Sequence, residues 1–433
     1  MTTLALQSLW SVTATPAPPS SPLIGDRTAE VVVIGAGYTG LSAALHLAEA
    51  GRAVVVLESD DIGVRASGLN GGQVIAGVKH DPDQLHALFG DDLGARYART
   101  VSGAPDEVFD LIARLGIHCD VVRTGWIQPA DSPAALPPLA ARAEQWRRRG
   151  APVELVAREA MRELTGSQRY CGGLFDRRGG TLQPLSYVRG LAQALLRAGG
   201  ELFTHSPVLG LGKVAGGYRA ETPEGRLSAA QVIVATNAYT GQLNARLRRT
   251  VVPVPSFQVA TVPIPAQLRA TILPGGQAAS DTCRLLRYFR TDASGRLVMG
   301  TRGTFAAAPT THDARHHYRA VREIYPQLAG LGFEYHWGGF VAMTADHLPH
   351  LHELAPGVLA GLGYNGRGVA MATVMGRLLA QRALGAADGE LGFPVSAVRP
   401  IRLHAFSGFG VRATIQYLRL KDSLDRLGRR PAG

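Results

Sequence analysis

Gly35-Ala36-Gly37-Tyr38-Thr39-Gly40 has the residue types and the spacing to hold a diphosphate. Four apolar residues, 31–34, precede it, and Leu41, Ala44, Leu45 and Ala48 follow at helical intervals. Between a strand and a helix, the first glycine permits the tight turn. The second admits a phosphate next to the backbone, and the third lets helix and strand approach closely. The unpaired amides and the dipole of the helix then point at anionic oxygens. Glu58, with Ser59 beside it, closes the next apolar run, 54–57. Its carboxylate can accept hydrogen bonds from an adenosine ribose and would repel a 2′-phosphate, which argues against NADP. These residues leave NAD and FAD both open. Stretch 62–74 adds Ser67, Asn70, Gly71, Gly72 and Gln73 in a polar, glycine-rich loop able to wrap a long cofactor, and Arg65 offers a positive charge beside the phosphates.

Groups able to do proton or charge chemistry are sparser. No histidine–carboxylate constellation stands out, and His347 beside Asp346 reads as a turn residue. Tyr288, Phe289 and Trp337 are candidate pocket walls, Arg290 and Arg302 candidate clamps for an anionic group, and Lys79 a cation that could assist oxygen. Cys119, Cys171 and Cys283 lie far apart without CxxC spacing, so neither a metal site nor a disulfide framework is expected, and a reducing compartment fits.

The elements that must position these residues alternate along the chain. A strand–helix–strand unit covers 31–57, with Gly51 closing the helix. A helix follows Pro184 and ends at Gly199-Gly200. A buried strand is expected at 232–235. From 251 to about 340 the character is β, and strand, glycine turn and helix return at 357–384. The expected fold is therefore an α/β dinucleotide-binding (GxGxxG, Rossmann-like) domain, discontinuous in sequence, with an α+β substrate domain built on a mainly antiparallel sheet; the resemblance given below makes it an FAD-binding domain. The boundaries are an extended N-terminal arm over 1–29, the FAD-binding domain in 30–95, 180–250 and 338–385, the substrate domain in 96–179 and 251–337, and a C-terminal tail over 386–433.

Composition narrows the function classes. The chain has 433 residues, 46% hydrophobic, which suits a sizeable core and two domains. The formal charge of +11 is nearly all arginine, with lysine only at Lys79, Lys213 and Lys421. No dense basic block interleaved with aromatics appears, so nucleic acid is not an expected partner. No apolar run reaches about 18 residues, so no transmembrane segment is expected, and the start makes a poor signal peptide, which points to the cytoplasm. The basic tail 411–430 reads as a solvated terminal helix, with cover for the active-site entrance, a partner contact or anionic lipid as other uses.

The stretch from Val31 to Ser59, followed by Ala66-Ser67-Gly68-Leu69-Asn70-Gly71-Gly72-Gln73, resembles the D-amino-acid oxidase superfamily of FAD-dependent oxidoreductases. The chain looks most like the gamma-glutamylputrescine oxidoreductase group. The likeness runs through Trp10, 179–195, 232–239, 286–290, 295–302, 337–351 and 363–380. It implies FAD as cofactor, with Gly35, Gly37 and Gly40 at the pyrophosphate and Glu58 at the ribose. It puts Val208 by the adenine, Ala235 and Thr236 near the cofactor, and Asn365, Gly366, Gly368 and Val369 around the pyrimidine end of the flavin. Arg65 and Leu69 stand where the group usually has glycine and arginine. Helix amides near Gly368 would face the flavin C2 carbonyl and N1, favouring its reduced state, and Arg367 either adds charge there or faces solvent.

The implied chemistry is oxidation of a C–H beside an amine, with hydride passing to flavin N5 and the resulting imine hydrolysing to an aldehyde. No protein base is required, because positioning does most of the work. Amino-acid-oxidising relatives commonly carry an arginine that clamps the substrate carboxylate where Val341 stands here. That favours a small-molecule amine, of polyamine or γ-glutamyl type, with oxygen or another electron acceptor. The alternatives are an amino-acid or N-methyl amino-acid oxidase or dehydrogenase with an arginine clamp elsewhere, a non-catalytic flavin-binding protein, and an NAD dehydrogenase.

Overall fold

The computed structural model describes residues 7–303 and 310–428. Its first sheet runs His350–Ala355, Val358–Leu362, Gly225–Val234, Gly25–Ile34, Val54–Leu57, Glu201–Phe203 from edge to edge. Its central strands are parallel; the 350–355 edge pairs antiparallel to its neighbour, and Gly217–Glu221, followed by Gly210–Val214, pairs antiparallel to Gly225–Val234 off the main path. Val31, Val33 and Ile233 enter one apolar cluster with helices Tyr38–Glu49, Pro184–Arg197 and Gly368–Ala383. Val32, Ile34, Val232 and Val234 enter another, beneath the Gly210–Val214 and Gly217–Glu221 hairpin. Burial on both faces is why these strands read as unbroken apolar runs.

Two helices bring the distant parts of this sheet together. Gly376 lets Gly368–Ala383 lie directly on Tyr38–Glu49, since a Cβ there would meet the Thr39 carbonyl oxygen at 2.6 Å. Ser42 Oγ donates to the Thr373 carbonyl across the crossing at 2.8 Å. Gly51 (φ +77°) follows the first of these helices as expected, a left-handed residue just past its end.

The second sheet runs Phe333–Thr344, Val251–Thr261, Leu297–Arg302, Tyr288–Thr291, Ala278–Ser280, Trp126–Pro129, Gly173–Asp176, Val153–Val156. It is antiparallel except where 278–280 meets 126–129. The pleat sorts its side chains. Phe257, Val259, Leu297 and Met299 pack under helix Thr311–Ile324 in their own apolar cluster. Ser256, Gln258, Gly300 and Arg302, the alternate positions, face the first sheet.

Two boundaries differ from the local reading. Strand Phe333–Thr344 runs unbroken past position 338, pairing with Val251–Thr261 as far as Thr344, so we propose placing the domain division after Thr344. Within 1–29 the chain is not wholly extended. Leu9–Thr13 is a helix whose Trp10 is buried and donates from Nε1 to the Asn70 carbonyl at 2.8 Å, and the first strand already begins at Gly25. The apolar demand of Trp10 docks the segment, which no periodicity in so short a stretch reveals. Helix Ser407–Gly428 closes the described chain, and the tail residues after it lie outside the described residues.

Candidate active site

A cavity of about 860 Å³ lies between the two sheets and reaches from Glu58 to Arg302. The two glycine turns meet in its wall. Gly35, Gly37, Tyr38 and Thr39 line one end with Glu58, Ser59, Arg65 and Ser67, while Asn365, Gly366, Gly368 and Val369 line the middle. Asn70, Gly71, Gln73, Val208, Ala235 and Thr236 complete the expected set along it. Gly40 and Gly72 stand behind the wall. Gly40 serves close packing, for its Cβ would come within 1.9 Å of the Gly35 carbonyl oxygen. A Cβ on Gly72 would come within 2.1 Å of the Leu182 carbonyl oxygen.

Hydrogen bonds hold the phosphate end. The Ala36 amide donates to Glu58 Oε2 at 2.7 Å, and Ser59 Oγ to Glu58 Oε1 at 3.0 Å. The Tyr38 amide, at the start of its helix, donates to Ser67 Oγ at 3.1 Å. Gly35 has φ +106°, a conformation that favours glycine. At Gly37 φ is −85°, so the constraint is space: a Cβ would lie 2.9 Å from Ser67 Oγ. Arg65 is already paired, both its Nε and Nη2 donating to Asp60 Oδ2 at 3.0 and 2.8 Å, with the guanidinium over the Tyr239 ring. Its charge near the phosphates is thus partly neutralised. Leu69 turns its side chain to the cavity and its carbonyl to Trp337 Nε1 and Gln258 Nε2.

The second turn is tied to the first. The hydroxyls of Thr39 and Tyr364 are hydrogen bonded at 2.5 Å, and the Gly363 amide donates to Asn237 Oδ1 at 3.0 Å. Asn365 is left-handed at φ +51°, and its side chain is engaged with Thr344, accepting from that amide at 2.9 Å and donating to its hydroxyl at 3.0 Å. What this turn turns toward the cavity is therefore backbone: the amides at the start of Gly368–Ala383, which lack intrahelical acceptors. A cradle of glycines beside an acidic strand end, continued into a second helix start, suits an elongated, twice-charged dinucleotide carrying a flat ring.

The cationic candidates divide. Lys79 and Arg302 line the cavity, and among the described residues no carboxylate pairs with either. Lys79 is open to the cavity, yet the walls around it desolvate the ammonium. That, with repulsion from Arg367, Arg302 and Arg142, pulls it down to about 7. The cation offered by the sequence as a partner for oxygen is thus a strongly perturbed lysine. Desolvation also lowers Arg302. Arg290 is no clamp. It is buried off the cavity, its Nη1 donating to the Gly72 and Leu182 carbonyls at 3.1 and 2.5 Å, beneath the Trp10 ring. Burial brings it down to about 10. Arg367 is half-buried and does not line the cavity; it lies over the Trp126 ring, with burial holding it near 9.

Tyr288 lines the cavity, its ring lying across Gly300 and its hydroxyl bonded to Ser256 Oγ at 2.8 Å. Phe289 and Trp337 belong to apolar clusters behind the wall. His347 is an exposed left-handed turn residue (φ +58°), and Asp346 pairs with His350 at 3.0 Å. Sequence reasoning missed Gln258, Phe340 and Leu286, all in the cavity wall; Phe340 adjoins Val341, while Gln258 stands opposite Trp337. Only the two-residue alternation of strand Val251–Thr261, once its partner is known, marks Gln258. Away from the cavity, Asp131, Asp281 and Cys283 gather within 4.8 Å. Arg169 pairs with Asp131, and the Arg287 charge opposes the burial that lifts Asp281 to about 6, so arginine supplies the cationic charge there.

Comparisons with known proteins agree with this geometry. The family model described as FAD dependent oxidoreductase (DAO) matches residues 30–382. A probable oxidoreductase OrdL of Haemophilus influenzae is 31% identical over 417 residues, 94% of this chain and 92% of the relative. Gamma-glutamylputrescine oxidoreductase of Escherichia coli is 32% identical over 383 residues, 88% of this chain and 89% of the relative. Among solved structures, glycine oxidase from Geobacillus kaustophilus superposes with a TM-score of 0.72 at 20% identity, covering 87% of this chain and 99% of that one. That likeness is one of fold. Among the described residues no helix is long and apolar enough to cross a membrane.

Proposed function

Because the chain belongs to the DAO family of FAD-dependent oxidoreductases, we propose that it oxidises the carbon beside the nitrogen of an amine, of polyamine or γ-glutamyl amine type. The enzyme uses FAD. The observation that carries the amine reading is Val341, an apolar side chain in the cavity wall at the position where a carboxylate clamp is expected in amino-acid oxidases. A valine offers an α-carboxylate no partner, and burying an unpaired carboxylate is costly. The relationship to gamma-glutamylputrescine oxidoreductase supports the same class.

The chain's own residues bind, orient and exclude water. The amides of the 35–40 turn and of the following helix hold the diphosphate. Glu58 exchanges its Ala36 partner for, or shares it with, the ribose hydroxyls. The start of Gly368–Ala383 presents partial positive charge where negative charge develops on reduction. Leu69, Phe340 and Val341 keep the reacting carbon among apolar walls. When bound, FAD supplies the hydride acceptor at N5. No protein base needs to touch the breaking C–H bond; the nitrogen must only arrive unprotonated.

A second reading, an amino-acid or N-methyl amino-acid oxidoreductase, has Arg302 in its favour, since that guanidinium faces the same cavity without a carboxylate partner among the described residues. Anaerobic mixing separates the two. Putrescine, γ-glutamylputrescine, glycine, sarcosine and D-amino acids are each added to the yellow holoenzyme. Bleaching by the amines alone supports the proposal, bleaching by glycine, sarcosine or D-amino acids supports the second reading, and no bleaching by any indicates a flavin-binding protein without turnover. Readmitting air and assaying peroxide identifies oxygen, or another carrier, as the electron acceptor. No disulfide joins Cys119, Cys171 and Cys283 among the described residues, which suits a reducing compartment, and we place the enzyme in the cytoplasm.

A further inference from the structure

We propose that Gln258 orients the substrate, its side-chain carbonyl oxygen accepting a hydrogen bond from the N–H of the amine being oxidised. The inference rests on the amine reading above and adds to it the residue that holds the reacting nitrogen.

Gln258 lies in the middle of strand Val251–Thr261, on the pleat that faces the cavity, and its side chain is 2% exposed. One bond decides which way its amide points. Nε2 donates to the Leu69 carbonyl at 2.6 Å, and that carbonyl also accepts from Trp337 Nε1 at 3.1 Å. A carbonyl has no proton to give, so the amide nitrogen must take that side and Oε1 the other. Among the described residues, Oε1 is then buried with no hydrogen-bond partner. A Cβ built on Gly71 would sit 3.5 Å from Oε1 and 2.9 Å from the Tyr288 ring, so this position packs closely and holds only a glycine. The Tyr288 hydroxyl is engaged with Ser256. Buried polar atoms are nearly always satisfied. Gln258 lines the ligand cavity, and an acceptor there whose orientation is locked from behind is one a donor on the ligand can satisfy.

A neutral acceptor suits the chemistry. A carboxylate in this position would favour the ammonium form, which has no lone pair and cannot expel hydride. An amide oxygen holds the neutral amine without that bias. As the C–H bond breaks and its electron pair leaves as hydride to the cofactor, the nitrogen lone pair becomes the C=N bond and the nitrogen gains positive charge. Its N–H becomes a better donor while remaining in place, and no proton moves to Gln258. The bond therefore strengthens toward the transition state and should act on the rate of reduction as well as on binding.

The test uses holoenzyme and γ-glutamylputrescine, followed as anaerobic flavin bleaching. Q258L should lower the limiting bleaching rate about 10- to 100-fold, with flavin content, visible spectrum and melting temperature unchanged. Q258E keeps an acceptor but stabilises the ammonium, so the acid limb of the rate profile should move up by about one pH unit or more. An unchanged rate in Q258L overturns the proposal. So does loss of flavin, or a displaced flavin spectrum, with an unchanged rate per bound flavin, because Oε1 then serves the cofactor. If Q258L misfolds, Q258E decides: an unmoved acid limb leaves Gln258 a structural residue. Failure of every amine to bleach the wild-type enzyme removes the amine reading itself, before any variant is compared.

Discussion

Replacing Gly37 by alanine tests how the phosphate cradle is built. The backbone there tolerates a side chain, with φ −85°, so the only obstacle is the Ser67 hydroxyl 2.9 Å from the new Cβ. Ordinary contact needs roughly half an ångström more, which Ser67 can give by rotating about χ1 among its staggered positions. That rotation abandons the Tyr38 amide, which now donates to Ser67 Oγ at 3.1 Å. The loss of one such bond is worth about 1 kcal/mol, or roughly a fivefold weaker FAD affinity. G37A should thus weaken FAD binding by about that factor. S67A, which removes the same acceptor, should do the same. Ser67 Cβ lies 3.9 Å from the built Cβ, so G37A in an S67A background meets only ordinary contact. The double variant should then be no worse than either single one, a coupling of about 1 kcal/mol in the cycle. FAD titration of apoprotein, followed by quenching of flavin fluorescence, measures all four. Additive losses, or a G37A loss of 100-fold or more, would refute the account and mean that the diphosphate itself lies against Gly37.

Three further outcomes are expected. Lys79 is held near 7 against an ordinary 10.5; the unfolded chain binds the extra proton between those values, so stability rises with pH across that window, and K79M should flatten the rise in apoprotein melting temperature between pH 7 and 10.5. The same variant should remove an ionisation near 7 from the pH profile of flavin reduction. R290M strands two carbonyls that now accept from a buried guanidinium, so it should cost about 2–4 kcal/mol in denaturant unfolding without selectively raising KM for carboxylate-bearing substrates; a selective KM effect would restore Arg290 as a clamp. Val341→Arg places a guanidinium in the cavity wall and should shift bleaching from amines toward glycine or sarcosine by about 10-fold or more; an unchanged preference removes Val341 from the specificity argument.

Local rules made the nucleotide end legible. Glu58, Gly35 and Gly40 have fixed offsets within one strand–helix–strand unit, and each is used where that unit requires it. The apolar runs around Val32, Val55 and Ile233 marked parallel strands because burial on two faces leaves no polar alternation. The substrate end obeyed no local rule. Tyr288, Arg290 and Arg302 share one sheet face, and what separates them is which part of the 69–72 loop lies above each. Arg290 meets Gly72 and Trp10, while Arg302 overlooks open space. Gln258 was invisible for the same reason, since its importance depends on Leu69, nearly two hundred residues away. Lys79 could not be recognised as perturbed until Arg302 and Arg367 stood near it. Trp10 went unassigned to a helix because a segment of five residues has no period to read.

The order of strands in the first sheet has a bearing on synthesis. Gly25–Ile34 is flanked by Val54–Leu57 on one side and by Gly225–Val234 on the other, and the latter waits for Val358–Leu362. A nascent chain on the ribosome therefore carries its diphosphate loop for more than three hundred residues of elongation before the opposite wall emerges. Contacts so remote in sequence make for slow, late closure, and flavin capture should follow the emergence of the second glycine turn. Until then the apolar edges of the half-built sheet are a natural target for chaperones, and cellular riboflavin status should bear on the yield of the finished enzyme more than on its rate of translation.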